Sequence, residues 1–247
     1  AGVKELALTD DVVEFMALQL QKLPLETLYV LKLAACVGSQ FDLETLAIVS
    51  ERSHNDTATD LWKALQEGLV LPQTQVYKFY LESETENRKL EESQNITYIF
   101  LHDRVQQAAY ALIEDKDKQG THLNIGQLLF NSTPDNKLDE KIFAIVNQFN
   151  LGKSQITSSQ QRERLIYLNL LAGKKARHSS AYEAASKYCE AGLELLINGD
   201  WKRDFTQVLE LHTEAANSNC LVGKFDLVDQ LVGTIVDNTT KLVHRGK

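Results

Sequence analysis

The stretch 95–113 constrains the fold more than any other part of the chain. Its first half alternates β-branched and aromatic residues, which predicts a strand over 96–101. Its second half repeats apolar residues at helical spacing, which predicts a helix over 104–113. Asp103 is expected to be the N-cap of this helix. His102 at the corner is placed to contact a ligand or partner, or else is a partly buried histidine bonded to a backbone carbonyl.

The residues before this stretch complete a winged-helix pattern. In this pattern three helices are followed by two strands, and a long tip joins the strands. Pro24 is expected at the first position of the most apolar helix, and Gly38 at its end. The charged segment 82–94 predicts a solvated hairpin tip. The expected helices are 9–23, 25–37, 41–49 and 58–67, and the expected strands before the tip are 69–72 and 76–81.

Composition favours helix over a loop-rich β protein, because only 3 prolines and 12 glycines occur among 247 residues. The 3 cysteines are widely spaced, which indicates a reducing cytosol and neither a disulfide framework nor a zinc site. No apolar run is long enough to span a bilayer. The chain lacks an initiator methionine, so it is expected to be a segment of a longer cytoplasmic protein.

After residue 117 the sequence predicts helices alone. Small residues at Ala172, Ala184 and Ala191, with Tyr188 between them, allow antiparallel helices to approach closely, as in tetratricopeptide repeats. A weaker copy contains Ala216, Gly223 and Phe225, and its longer offset indicates degenerate repeats. The expected helices are 121–130, 138–151, 158–178, 181–197, 205–222 and 226–236.

Charge divides the chain into two predicted domains, 1–120 and 121–247. The first holds 11 Lys and Arg against 20 Asp and Glu, and the second holds 15 against 14. An acidic first domain is a poor binder of phosphate backbones. The predicted fold class is therefore mainly α: a winged-helix domain with a small β-wing, followed by antiparallel, degenerate tetratricopeptide-like repeats.

Gly152-Lys153-Ser154 is the sequence's nearest approach to a phosphate-binding loop. The motif needs a first glycine where Asn147 stands and a preceding strand where a helix is predicted, so a helix C-terminal turn is favoured. The histidines are scattered without metal-ligand spacing, and no serine or cysteine lies in a nucleophile elbow. The chain is therefore expected to hold no metal and to be no enzyme.

Two further patterns bear on partners. A recognition helix over 56–67 would carry Asp56, Asp60 and Glu67 against Lys63, which disfavours DNA binding. The basic run 174–177 is typical of a solvated helix end, and a docking patch for an acidic partner is the alternative.

The run from Phe100 to Tyr110 resembles a specific family, the predicted ATPase module of large bacterial, notably cyanobacterial, and fungal multi-domain signalling kinases. These proteins combine a serine/threonine-kinase-like domain, an AAA or STAND-type signal-transduction ATPase, helical repeats, and sensor or histidine-kinase domains. The resemblance covers nearly the whole chain in order. Further stretches that carry it are 33–41, 64–70, 169–176 and 182–185.

The resemblance implies that this chain follows the nucleotide-binding core of its parent, since it lacks the phosphate loop, the magnesium carboxylate and the kinase motifs. ATP and ADP would belong to the parent, and no cofactor is implied for this segment. In related ATPases a Met-His-Asp motif on the winged helix contacts the β-phosphate of ADP. Leu101-His102-Asp103 matches its last two residues, which implies that His102 senses ADP phosphate when the upstream domain is present.

The expected function is thus regulatory, coupling an upstream nucleotide-binding domain to other domains of the same protein and to protein partners on the helical repeats. Neither nucleic acid nor membrane is an expected partner. The alternative is a helical interaction scaffold without nucleotide sensing, and a DNA-binding transcriptional regulator is disfavoured.

Overall fold

The computed structural model describes residues 12–73, 96–197 and 200–245. Within these ranges the fold is mainly helical with a small three-stranded antiparallel sheet, and the chain forms two compact units, 1–132 and 133–247. The predicted boundary after residue 120 falls inside the helix Asp115–Ser132, which belongs entirely to the first unit.

The first unit surrounds its sheet with helices. The strands lie in the order β1-β3-β2, and both pairings are antiparallel. The predicted strand 76–81, the tip 82–94 and the first residues of the predicted helix 9–23 lie outside the described residues. The elements are α1 (12–20), α2 (Leu25–Val37), β1 (Gln40–Asp42), α3 (Leu43–Ser50), α4 (His54–Gln66), β2 (Val70–Pro72), β3 (Thr97–Phe100), α5 (Asp103–Ala111) and α6 (Asp115–Ser132).

Helix α2 has the predicted bounds and lies at the centre of this unit. Its residues Val30, Leu31 and Ala34 are fully buried, because the helix is apolar almost all round. Pro24 is the N-cap instead of the first helical residue, and Gly38 is the C-cap as expected. The sheet packs an aromatic cluster into the core, with the Phe41 ring 5.7 Å from Tyr98 and 5.5 Å from Phe100.

Several boundaries in the first unit correct the sequence predictions, and the helix expected over 121–130 spans Asp115–Ser132. Helix α4 begins at His54, four residues before the expected start, because the Ser53 hydroxyl accepts a hydrogen bond from the Asp56 N–H at 3.1 Å. Strand β1 was not predicted. It ends at Asp42, whose carboxylate caps α3 by accepting from the Thr45 N–H at 2.7 Å.

The second unit is a series of helices in which α8 packs against α7 and α9, and α11 packs against α9 and α12. Helix α9 ends four residues earlier than predicted, and α12 continues well past residue 236. Single 3-10 turns precede and follow α7. The helices are α7 (Leu138–Leu151), α8 (Ser159–His178), α9 (Tyr182–Leu193), α10 (Asp200–Arg203), α11 (Phe205–Leu221) and α12 (Phe225–Arg245).

Small residues bring α8, α9 and α11 together, although not all at the predicted positions. Ala172 is buried as expected, but α9 turns Ala185, Cys189 and Gly192 inward, while Ala184 and Ala191 are only partly buried. The buried face is thus one residue away from the predicted one, a rotation of about 100°.

The two aromatic residues of the predicted repeats behave differently. Tyr188 packs between helices as predicted, with its ring stacked 5.6 Å from Phe143 and its hydroxyl donating to Asn147 Oδ1 at 2.9 Å. Phe225 is 62% exposed, so it fills no gap between these helices.

The basic run 174–177 is neither a solvated helix end nor an open patch. Lys174 pairs with Glu210, Lys175 with Asp139, and the Arg177 guanidinium with Glu214. These pairs join α8 to α11 and α7, so the three cations serve the packing of the helical unit. None of the described helices is long and apolar enough to cross a membrane.

Candidate functional site

The corner between β3 and α5 holds His102 on a fixed backbone. The Phe100 N–H donates to the Ser39 carbonyl at 3.0 Å, and the Leu101 N–H donates to the Leu69 carbonyl at 3.0 Å. The two loops that follow α2 and α4 therefore hold the last residues of β3. His102 follows directly.

Helix α5 fixes the other side of the corner. Val105, Ala108 and Ala109 are buried, and the Gln106 side-chain amide donates to the Ala35 carbonyl of α2 at 3.2 Å. The apolar spacing predicted from the sequence thus faces α2 and the sheet.

His102, and not Asp103, is the N-cap of α5. Its backbone is still extended, with φ −142° and ψ 145°, and its carbonyl accepts from the Val105 N–H at 2.9 Å. Helical geometry begins at Asp103, which stands in the first turn, where a carboxylate is favourable toward the helix dipole. The prediction of an Asp103 cap is wrong because β3 already ends at Phe100 and helical geometry begins at Asp103, one residue before the predicted start, which makes His102 the cap.

The His102 side chain is exposed, and the structure gives it no hydrogen-bond partner among the described residues. The alternative of a partly buried histidine bonded to a carbonyl is therefore wrong. The neighbouring Leu101 side chain is also exposed, at 43%. The Arg104 guanidinium donates a hydrogen bond to Gln107 Oε1 at 2.8 Å. An exposed imidazole on a rigid corner can donate a hydrogen bond to an anion brought from outside, but it forms no complete site by itself.

The other candidate motifs carry no site. Asn147 lies within α7, Gly152 ends that helix and Lys153 pairs with Glu194, so the prediction of a helix C-terminal turn is confirmed. Burial raises the pKa of Cys189 to about 12, which keeps this thiol protonated at neutral pH. Over the ranges that the structure describes, no three His, Cys, Asp or Glu side chains are grouped to hold a metal ion.

Helix α4 offers little positive charge to a nucleic acid. Arg52, just before the helix, pairs with Asp60, and Lys63 pairs with Glu67 at 2.7 Å. Because both cations are neutralised by carboxylates, they offer little attraction to the phosphates of a nucleic acid.

Sequence reasoning missed a buried ion pair in the helical unit. Asp200 accepts from Arg162 at 2.8 Å and from the Ile197 N–H at 2.9 Å, and Arg203 also pairs with it at 2.8 Å. Burial alone would raise the pKa of Asp200, but the bonds from Arg162 and Ile197 outweigh it and lower the pKa. The sequence gives no signal for this pair, because its partners are 38 residues apart.

A small cleft lies beside this ion pair, lined by charged residues and a few apolar ones. Its polar groups already bond to one another: Arg203 pairs with Glu163 and Asp200, and the Gln207 N–H donates to Asp204. The lining residues are Glu163, Ile166, Leu196, Asp200, Arg203, Asp204, Gln207 and Val208.

Comparison with known proteins finds a similar stretch in hybrid signal transduction histidine kinase G of Dictyostelium discoideum. The two are 29% identical over an alignment of 280 positions. This alignment covers 97% of this chain and 8% of that protein. The chain thus spans a small part of the relative it matches. No family model matches the chain, and no solved structure matches it at a significant level.

Proposed function

We propose that this chain is a non-catalytic regulatory segment of a larger cytoplasmic signalling protein with an ATPase core upstream. The first unit would be a winged helix, and the second a set of degenerate tetratricopeptide-like repeats. The segment would couple the nucleotide state of the core to domains and protein partners that bind the helical unit. The similarity to a signal transduction histidine kinase along 97% of the chain supports a signalling role.

The observation that carries this proposal is the exposed His102 on a backbone held from both sides. Because the backbone is already held, the conformational entropy lost on binding is confined to the rotamers of the His102 side chain. A hydrogen bond from a histidine to a phosphate contributes about 1.5–3 kcal/mol. This contact would slow the release of ADP from the upstream domain about tenfold to a hundredfold.

The test uses the parent protein with its nucleotide-binding core. The His102→Ala variant is expected to release ADP about ten to a hundred times faster than the wild type in stopped-flow measurements with labelled ADP. His54→Ala is the matched control, because His54 is also exposed and also stands at the start of a helix in the first unit. Equal release rates in all three proteins would contradict the proposal.

The second candidate is a helical interaction scaffold that senses no nucleotide. It is favoured by apolar side chains that the helical unit leaves exposed, among them Tyr167, Phe225 and Val236. Release of ADP at the wild-type rate from His102→Ala would leave this scaffold as the better description. A DNA-binding regulator is disfavoured, because the cations at α4 are paired with carboxylates.

A further inference from the structure

Helix α12 carries apolar side chains on two adjacent faces, and only one of these faces packs against the rest of the helical unit. Leu227, Val228 and Leu231 pack against the core formed by α8, α9 and α11. A second set, Phe225, Val232 and Val236, is 62%, 46% and 53% exposed. The spacings of seven and four residues place these three on one line along the helix, beside the packed face. We call this line the outer stripe.

Acidic residues border the outer stripe. Asp226, Asp229 and Asp237 are all exposed, and helical spacing puts them on the side of the stripe away from the packed face. No lysine or arginine occurs between Phe225 and Thr240. The potential along this border is therefore negative, unlike that of the basic run on α8, which is neutralised by Asp139, Glu210 and Glu214.

We propose that the outer stripe of α12 binds an amphipathic helix whose apolar face is flanked by lysine or arginine. Aliphatic and aromatic side chains at helical spacing are the surface on which a second helix packs. The aspartates select a basic flank and reject an acidic one, because like charges across an interface are unfavourable. The inference names the partner class of the helical unit, so it rests on the interaction part of the proposed function.

The open space beside the stripe is consistent with a helix lying there. A Cβ added at Gly233, which helical spacing places on the aspartate border beside the stripe, would meet no atom within 4 Å. A neighbouring helix can thus approach this part of α12 without displacing side chains of the unit.

The experiment uses the 247-residue chain and a fluorescein-labelled synthetic peptide of about 18 residues, long enough to form a helix. The peptide has leucines along one face and lysines on both flanks, and a second peptide carries glutamates in place of the lysines. In fluorescence anisotropy titrations the lysine peptide is expected to bind about three to ten times more tightly. This preference should shrink as the salt concentration rises.

Variants identify the surface. Val232→Ser with Val236→Ser should weaken binding of the lysine peptide by about tenfold, since valine and serine have similar helix propensities and only the apolar contact is lost. Asp229→Asn with Asp237→Asn should reduce the preference for lysine over glutamate, because only Asp226 then borders the stripe. Glu140→Gln is the matched control, because it removes an exposed carboxylate from α7 and should leave both affinities unchanged.

Equal affinity for the two peptides, no binding of either, or binding that survives the double serine variant would each overturn the proposal. The proposal would also be overturned if analytical ultracentrifugation showed a dimer of the chain that is absent from the double serine variant. The outer stripe would then bind a second copy of this chain. Failure here is distinguishable from failure of nucleotide sensing: the serine variant should leave ADP release from the parent unchanged, and His102→Ala should leave peptide affinity unchanged.

Discussion

His212 is a buried titratable side chain that the proposed function does not use. It is 6% exposed, its Nδ1–H donates to the Val208 carbonyl at 2.8 Å, and its ring lies 4.7 Å from that of Trp201. Burial lowers the pKa of His212, although the bond to Val208 acts in the opposite direction. The native helical unit therefore favours the neutral imidazole.

The free energy of unfolding of the helical unit should consequently decrease as the pH falls below about 6.5, the pKa of histidine in an unfolded chain. In that range the unfolded chain binds a proton that the native unit does not, and the loss continues until the pH passes the native pKa. Urea denaturation followed by Trp201 fluorescence measures it. His212→Asn keeps a donor for the Val208 carbonyl but cannot titrate, so its pH dependence should be flatter; parallel profiles would contradict the prediction.

At the scale of elements, the contact between α8 and α9 depends on a missing side chain. A Cβ added at Gly173 would lie 2.6 Å from the Cys189 sulfur, which is fully buried. An alanine in an open helix interior stabilises by about 1 kcal/mol relative to glycine, whereas overpacking a core costs about 1–3 kcal/mol. Gly173→Ala should therefore lower the free energy of unfolding by about 1 kcal/mol.

The Cys189→Ala background tests the cause. With the sulfur removed, Gly173→Ala should become stabilising, so the two substitutions should be strongly non-additive in urea denaturation. Gly233→Ala is the control, because its added methyl would meet no atom within 4 Å, and it should stabilise α12. A stabilising Gly173→Ala in both backgrounds would show that the helices are not in close contact at this point.

Elements with strong local signals were predictable, and those set by contacts distant in sequence were not. Helices α2 and α7 have the predicted bounds because an apolar run ends at Gly38 in one and Gly152 in the other. Strand β1 has only three residues, too few for alternation to be recognised, and is defined by pairing with β3. Small residues stand next to one another on α9, so the sequence could not decide between Ala184 and Ala185 as the buried position.

The candidate site shows the same division. Alternation followed by helical spacing predicted the corner at His102, because both signals are local. Exposure of the imidazole depends on how α5 packs against α2, through contacts such as Gln106 to Ala35, which are 71 residues apart. The ion partners of the basic run on α8 likewise come from α7 and α11, so its charge could not be interpreted from the run alone.

At the scale of the whole molecule, the two tryptophans report on different units. Trp62 lies in α4 of the first unit and Trp201 in α10 of the second. Variants that keep one tryptophan, Trp201→Phe or Trp62→Phe, therefore allow the unfolding of each unit to be followed separately in the same chain. The unit 133–247 has its own buried core and its own ion pairs between helices.

Asp200→Ala should accordingly destabilise the second unit without affecting the first. The substitution leaves Arg162, a largely buried cation, without its carboxylate and the Ile197 N–H without its acceptor, which should cost about 3 kcal/mol. In urea denaturation the midpoint reported by Trp201 should fall, while the midpoint reported by Trp62 stays at its wild-type value. Asp135→Ala, an exposed aspartate of the same unit, should change neither midpoint. Equal shifts at both tryptophans on Asp200→Ala would mean that the chain unfolds as one cooperative body and would contradict the prediction.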